Sequence, residues 1–236
     1  MLTTVYRRGY DEVRVRFQSP TEYQNISRAI RSLLGYAIIE NKSKSCLIKS
    51  LPSQLEQNFQ NLFRRVFLIL LQQLEDLSGV LNNPDELKNF YHRDADLNAI
   101  VNLAVRMINK GQLHDRFEEL HFFHALLVLE ECGDDLVRFT AEIQQDKQAP
   151  ELAKAVGETT KMVRMLYDAY FQKKKGVQHF YKQYYLYWPG EKHPKAPVYD
   201  FLSSAKGKTF YLRSIVEKVV QLAELLLLPQ VVEDLD

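Results

Sequence analysis

Apolar residues along this chain follow two rhythms. Through Glu12-Val13-Arg14-Val15-Arg16-Phe17 they alternate with charged ones, the two-residue period of a strand with one buried face. Ser19-Pro20-Thr21-Glu22 then opens a helix, with Pro at its first position, that carries Ile26, Ile30, Leu33 and Leu34 to a stop at Gly35. Residues 36–40 and 45–49 read as two more strands, joined by a polar turn over 41–44. Residues 1–50 are therefore expected to form a small β-α-β-β unit that packs on a neighbour or on a second copy.

From Pro52 onward the period is helical. A first helix carries Leu55, Phe59, Leu62, Val66, Ile69 and Leu70 and ends near Gly79. Asn82-Asn83-Pro84-Asp85 is a turn that starts the second, whose seam is Leu87, Tyr91, Asp94, Asn98, Val101, Val105 and Ile108 and whose stop is Lys110-Gly111. A third runs from about 114 to 145, with Phe123, Leu127, Glu130, Asp134, Val137 and Ala141 at alternating steps of four and three. Gln148-Ala149-Pro150 breaks the chain. A fourth helix carries Leu152, Val156, Thr159, Val163, Leu166 and Tyr170, an aromatic segment follows over 180–188, and Pro189-Gly190, Pro194 and Pro197 mark a loop. The last helix holds Tyr211, Ile215, Val219, Leu222 and Leu226, with Pro229 near its end. Short connections between long helices imply antiparallel neighbours. The expectation is a mostly α chain: a small α+β unit over 1–50 and two tandem three-helix bundles over 51–147 and 148–236.

Composition narrows the function classes. With 31 Lys+Arg against 30 Asp+Glu, the whole chain offers no electrostatic case for nucleic acid. The longest apolar runs, 66–71 and 225–228, are too short to span a bilayer, and the first residues lack the apolar core of a signal peptide. Cys46 and Cys132 have no metal-type spacing and read as reduced thiols of a cytoplasmic protein.

Two seams carry acids where the pattern asks for Leu or Val. Glu130 and Asp134 sit at i and i+4 on the third helix, as Asp94 and Asn98 do on the second. A buried charge needs a partner or an opening to solvent. If the helices are antiparallel neighbours, three carboxylates and an amide face one another and make a hard-cation site; Arg93, Arg106 or Arg138 would equally satisfy the acids as ion-pair partners. Glu118, His121 and His114 share a helix face, but a carboxylate-bridged di-iron centre needs a second Glu-x-x-His pair. No Gly-rich phosphate loop or Gly-x-Ser-x-Gly turn occurs, and the acids around Cys132 disfavour a thiolate. Tyr181, Tyr184, Tyr185, Tyr187 and Trp188, with Lys182 among them, suit a core or interface better than base stacking. Arg64-Arg65 and Lys173-Lys174-Lys175 read as solvated faces or helix ends.

Residues 129–142, Leu-Glu-Glu-Cys-Gly-Asp-Asp-Leu-Val-Arg-Phe-Thr-Ala-Glu, resemble the Glu-Arg-Ile-Gly-Asp helix of the PhoU family of phosphate-signalling regulators. In that family a Glu/Asp-x-x-x-Asp pair recurs on successive helices and can hold a metal cluster. Glu130 and Asp134 match the pair; Asp94 and Asn98 match it one helix earlier, with Asn for the second acid; residues 213–224 look like the equivalent of the second repeat, where only Glu217 keeps an acid at the motif. Residues 9–17, 34–40 and 64–71 are similar to segments of archaeal PhoU-like proteins, which usually begin with an AbrB-type DNA-binding domain that this chain is expected to lack. The resemblance implies a non-enzymatic regulator of phosphate uptake or signalling that forms homodimers. It would act by contacting a phosphate-transporter ATPase or a sensor kinase, at the membrane only through that partner. It also implies a divalent metal (iron, zinc, manganese or magnesium) on Asp94, Asn98, Glu130 and Asp134. The alternatives are a transcriptional regulator of the AbrB/PhoU type and a carboxylate-bridged metal-binding bundle.

Overall fold

Seven helices and a three-stranded sheet make up the described chain, with the sheet ahead of the long helices. The computed structural model describes residues 1–51, 58–81, 86, 90–113, 115–143, 149–172, 180 and 209–233. In chain order the elements are α1 (Leu2–Arg7), β1 (Glu12–Arg16), α2 (Pro20–Arg31), β2 (Tyr36–Lys42), β3 (Ser45–Ser50), α3 (Phe59–Val80), α4 (Phe90–Asn109), α5 (Arg116–Ile143), α6 (Ala149–Gln172) and α7 (Phe210–Glu233). Leu55, the 82–85 turn, Leu87, His114, Lys173-Lys174-Lys175, the aromatic run 181–188 and its proline loop lie outside the described residues. The chain is mostly α with a small β-containing unit in front, as the two rhythms require.

Two compact units partition the residues: Met1–Val66 with Ala95–Leu126, and Phe67–Asp94 with Leu127–Asp236. In the first, β3 lies between β1 and β2, antiparallel to both. Val15, Cys46 and Ile48 face one side and are buried. Glu12, Arg14 and Arg16 face the other, with their cross-strand partners Lys49, Leu47 and Ser45. On β2 the pairing steps from Ile38 to Glu40, so Ile39 bulges out of the ladder, half-exposed. Helix α2 starts with a variant of the capping box: the Ser19 hydroxyl accepts from the Glu22 amide at 3.2 Å, and the Glu22 carboxylate accepts at 2.7 Å from the amide of Gln18, one residue before the cap.

The sequence pattern did not announce α1, whose Leu2 and Tyr6 are buried. Six residues without a side-chain N-cap are below the length at which local signals specify a helix. Helix α4 is buried all round from Ile100 to Ile108, which removes the polar face that marks a surface helix. It ends in a Schellman motif: Gly111, at φ 69°, donates to the Ile108 carbonyl, and Gln112 donates to that of Met107. Phe59, Phe63 and Phe122 form an aromatic cluster in this unit, with Phe122 edge-on to both partners.

In the second unit α6 and α7 pack along each other. Phe67, Tyr167 and Phe171 cluster there, with Phe67 and Phe171 at 5.6 Å. Arg164 of α6 pairs with Glu75 of α3. Among the described residues no helix is long and apolar enough to cross a membrane.

Candidate functional site

Helix α5 buries a different set of residues from the seam that carries Glu130 and Asp134. Leu126, Leu129, Cys132, Leu136, Phe139 and Ile143 are its core positions. Phe123, Leu127, Glu130, Asp134 and Val137 lie half-buried along the rim of that face, and Ala141 is exposed. The acids therefore meet solvent without breaking the core. Asp134 holds Arg138 at 3.3 Å, one turn on. On α4, Asp94 and Asn98 are half-buried, whereas Val101, Val105 and Ile108 farther along that seam are fully inside. Glu118 and Leu120 are exposed, and His121 Nδ1 donates to the Phe117 carbonyl of its own helix. Among the described residues no group of three His, Cys, Asp or Glu side chains is placed to hold a metal ion.

The carboxylate that α5 does bury is Asp135, next in sequence to Asp134. Lys218 of α7 donates to its Oδ2 at 2.5 Å and Arg138 to its Oδ1 at 3.0 Å, while the Ser214 hydroxyl takes a further Lys218 proton at 2.9 Å. Burial opposes the Lys218 charge, but the Asp135 hydrogen bond and the nearby Asp135 and Glu131 charges outweigh it and raise the amine's pKa. This triad ties α7 to α5 at a cost in desolvation that the apolar positions beside it do not bear.

A fully buried cation organises the first unit. The Arg106 guanidinium donates to the carbonyls of Tyr6 at 3.0 Å and Tyr10 at 2.9 Å, and to the Asp11 carboxylate. It lies 5.0 Å from the Tyr6 ring centroid and 5.3 Å from that of Tyr36, two rings packed edge to face. Neighbouring turns of α4 join in: Asn102 accepts from Arg7, Asn109 donates to the Arg7 carbonyl, and Lys110 reaches Asp11 at 2.8 Å. The Lys110 hydrogen bond, with Arg106 beside it, lowers the Asp11 pKa against the opposing effect of burial. Burial raises that of Tyr36, whose hydroxyl donates to the Tyr10 carbonyl. Gly9 admits the close approach: at φ 85° it lies where a Cβ would stand 2.9 Å from Lys110 Cγ. Thus Arg106, which sequence reasoning considered as a partner for the seam acids, serves the α1–β1 connection instead.

Both cysteines are free and buried. Burial pushes both thiols up, most strongly Cys132, where neighbouring Lys218 opposes the shift only in part. A disulfide-type thiol reagent at about pH 8 is expected to titrate neither cysteine in the native chain and both in guanidinium. Rapid labelling of the native protein would contradict this packing.

Sequence reasoning passed over the charge of individual segments. Residues 1–50 hold nine Lys/Arg and four Asp/Glu, whereas the remainder holds 22 and 26. The near-neutral total conceals a basic front unit. No family model, no curated protein and no solved structure matches the chain.

Proposed function

We propose that the chain is a non-enzymatic, PhoU-like regulator of phosphate uptake or signalling that works through protein–protein contacts, with a phosphate-transporter ATPase or a sensor kinase as partner. The observation that carries this reading is the position of Glu130 and Asp134. The two acids share the rim of a 28-residue helix, half-exposed, while the core beneath them is apolar and the adjacent Asp135 is held by Lys218. Acids on a rigid rim offer a charged docking edge whose alteration leaves the fold standing. The residue pattern of that helix is the one that resembles the phosphate regulators. Cells lacking the chain are expected to take up more phosphate in phosphate-rich medium than cells that have it; equal uptake would overturn the reading.

A divalent metal on Asp94, Asn98, Glu130 and Asp134 is a separable part of the proposal. With Asn98 in place of an acid, Asp134 engaged by Arg138 and no three acids gathered among the described residues, occupancy requires the acids to be drawn together and Asp134 to exchange its guanidinium partner for the cation. Elemental analysis of the purified chain and of the D94A/E130A/D134A variant decides it. Stoichiometric metal in the first and none in the second is expected; equal content in both removes these residues from the metal account.

A further inference from the structure

We infer that the outer face of the N-terminal sheet binds the phosphate backbone of duplex nucleic acid, without reading sequence. The register places Arg16, Ser45 and Lys42 in one row across the three strands, and Arg14, Leu47 and Glu40 in the next. Lys44 stands in the turn beside the first row, where its carbonyl accepts from the Phe17 amide. Arg14, Arg16, Lys42 and Lys44 are all exposed. Glu40 is the carboxylate of these two rows, and it is shared between Lys42 at 3.1 Å and Arg14 at 3.5 Å. Lys42 first, then Arg14, keeps Glu40 ionised by lowering its pKa. Four cations against one acid leave that end of the face strongly positive. Farther along, Glu12 and Lys49 neutralise each other at 2.8 Å.

Strand spacing of about 4.8 Å and a same-face step of roughly 7 Å set these cations on a patch about 10 Å by 7 Å. Duplex nucleic acid carries a phosphate every ~3.4 Å of each strand, so such a patch engages several at once and releases their counterions. Arginine adds two-pronged hydrogen bonding to phosphate oxygens. Among the described residues the strands of this face carry no exposed aromatic ring on which unpaired bases would stack, and the face has no helix to enter a major groove. Leu47, the apolar residue of these two rows, is buried, and Ile39 at the β2 bulge is a single half-exposed apolar side chain, too little to insert into a lipid surface. Duplex backbone is the polyanion that fits. This goes beyond the regulator reading and does not depend on it: phosphate uptake tests one, DNA binding the other.

The test is fluorescence anisotropy of the full chain with a labelled DNA duplex of about 20 base pairs, in a salt series, beside phosphatidylserine-containing vesicles. Affinity is expected to fall about 100-fold between 50 and 200 mM salt, independently of duplex sequence. R16E/K44E is expected to weaken binding more than about tenfold and flatten the salt dependence, whereas K161E, on α6, leaves it unchanged. Should R16E/K44E melt early, the neutral R16Q/K44Q carries the comparison. Salt-insensitive affinity, binding equal to wild type in these variants, or preference for vesicles over duplex would each overturn the proposal.

Discussion

Replacing Arg106 by alanine is expected to destabilise the first unit by about 3 kcal/mol, a fall of roughly 6–12 °C in melting temperature for a chain of this size. The guanidinium is 1% exposed and packs against two tyrosine rings, so its loss leaves a cavity and takes one donor each from the Tyr6 and Tyr10 carbonyls, which keep the Gly9 amide and the Tyr36 hydroxyl respectively. The pair with Asp11 contributes less, because that carboxylate is 63% exposed. R106K keeps the charge but cannot span three acceptors and two rings, and is expected to lose about half as much. Urea denaturation measures both, and limited proteolysis of R106A should cut first within residues 1–11. A shift in R106A below about 1 kcal/mol would mean that Arg106 does not anchor the front of the chain.

The second large effect is expected at Lys218. K218A leaves Asp135, whose side chain is 5% exposed, with Arg138 as its remaining cation, and should cost about 2–4 kcal/mol. R138A should cost under ~1 kcal/mol, because that side chain is 53% exposed. Joint replacement, D135L/K218M, should cost less than the sum of the single changes, since no charge is then left buried without its partner. The pH dependence has a definite sign. The Lys218 pKa is raised above 10.5 in the folded chain, so its contribution is complete below pH 10.5 and is lost as pH rises through the raised value. The K218A deficit should therefore shrink in strong alkali. Equal costs for K218A and R138A would show that burial does not govern this triad.

The front unit was legible because its signals are local. Alternation over 12–17, the Ser19-to-Glu22 cap and Gly35 each act within a few residues, and the strands and helix stand where those signals put them. The inward face of α5 was harder. Leu126, Leu129, Leu136 and Phe139 form one apolar series and Phe123, Leu127 and Val137 another, and periodicity cannot choose between them when both are apolar. The series without Glu130 and Asp134 went inside, taking Asp135 with it, which is why Asp134 is on the rim and Asp135 below it. Lys218 lies 83 residues from Asp135, and Arg106 lies 100 from Tyr6. No pattern within one helix reveals a partner at that distance. The acids at 94, 130 and 134 were visible as departures from the apolar pattern, and what they contact is a matter of tertiary placement.

One measurement separates the docking edge proposed for Glu130 and Asp134 from a purely structural role. Phosphate uptake is recorded in cells lacking the chain, after return of the wild type or of E130A/D134A at matched abundance and melting temperature. Wild type should bring uptake in phosphate-rich medium back down, while E130A/D134A should leave it as high as in cells without the chain. Full restoration by E130A/D134A would contradict the assignment of this edge.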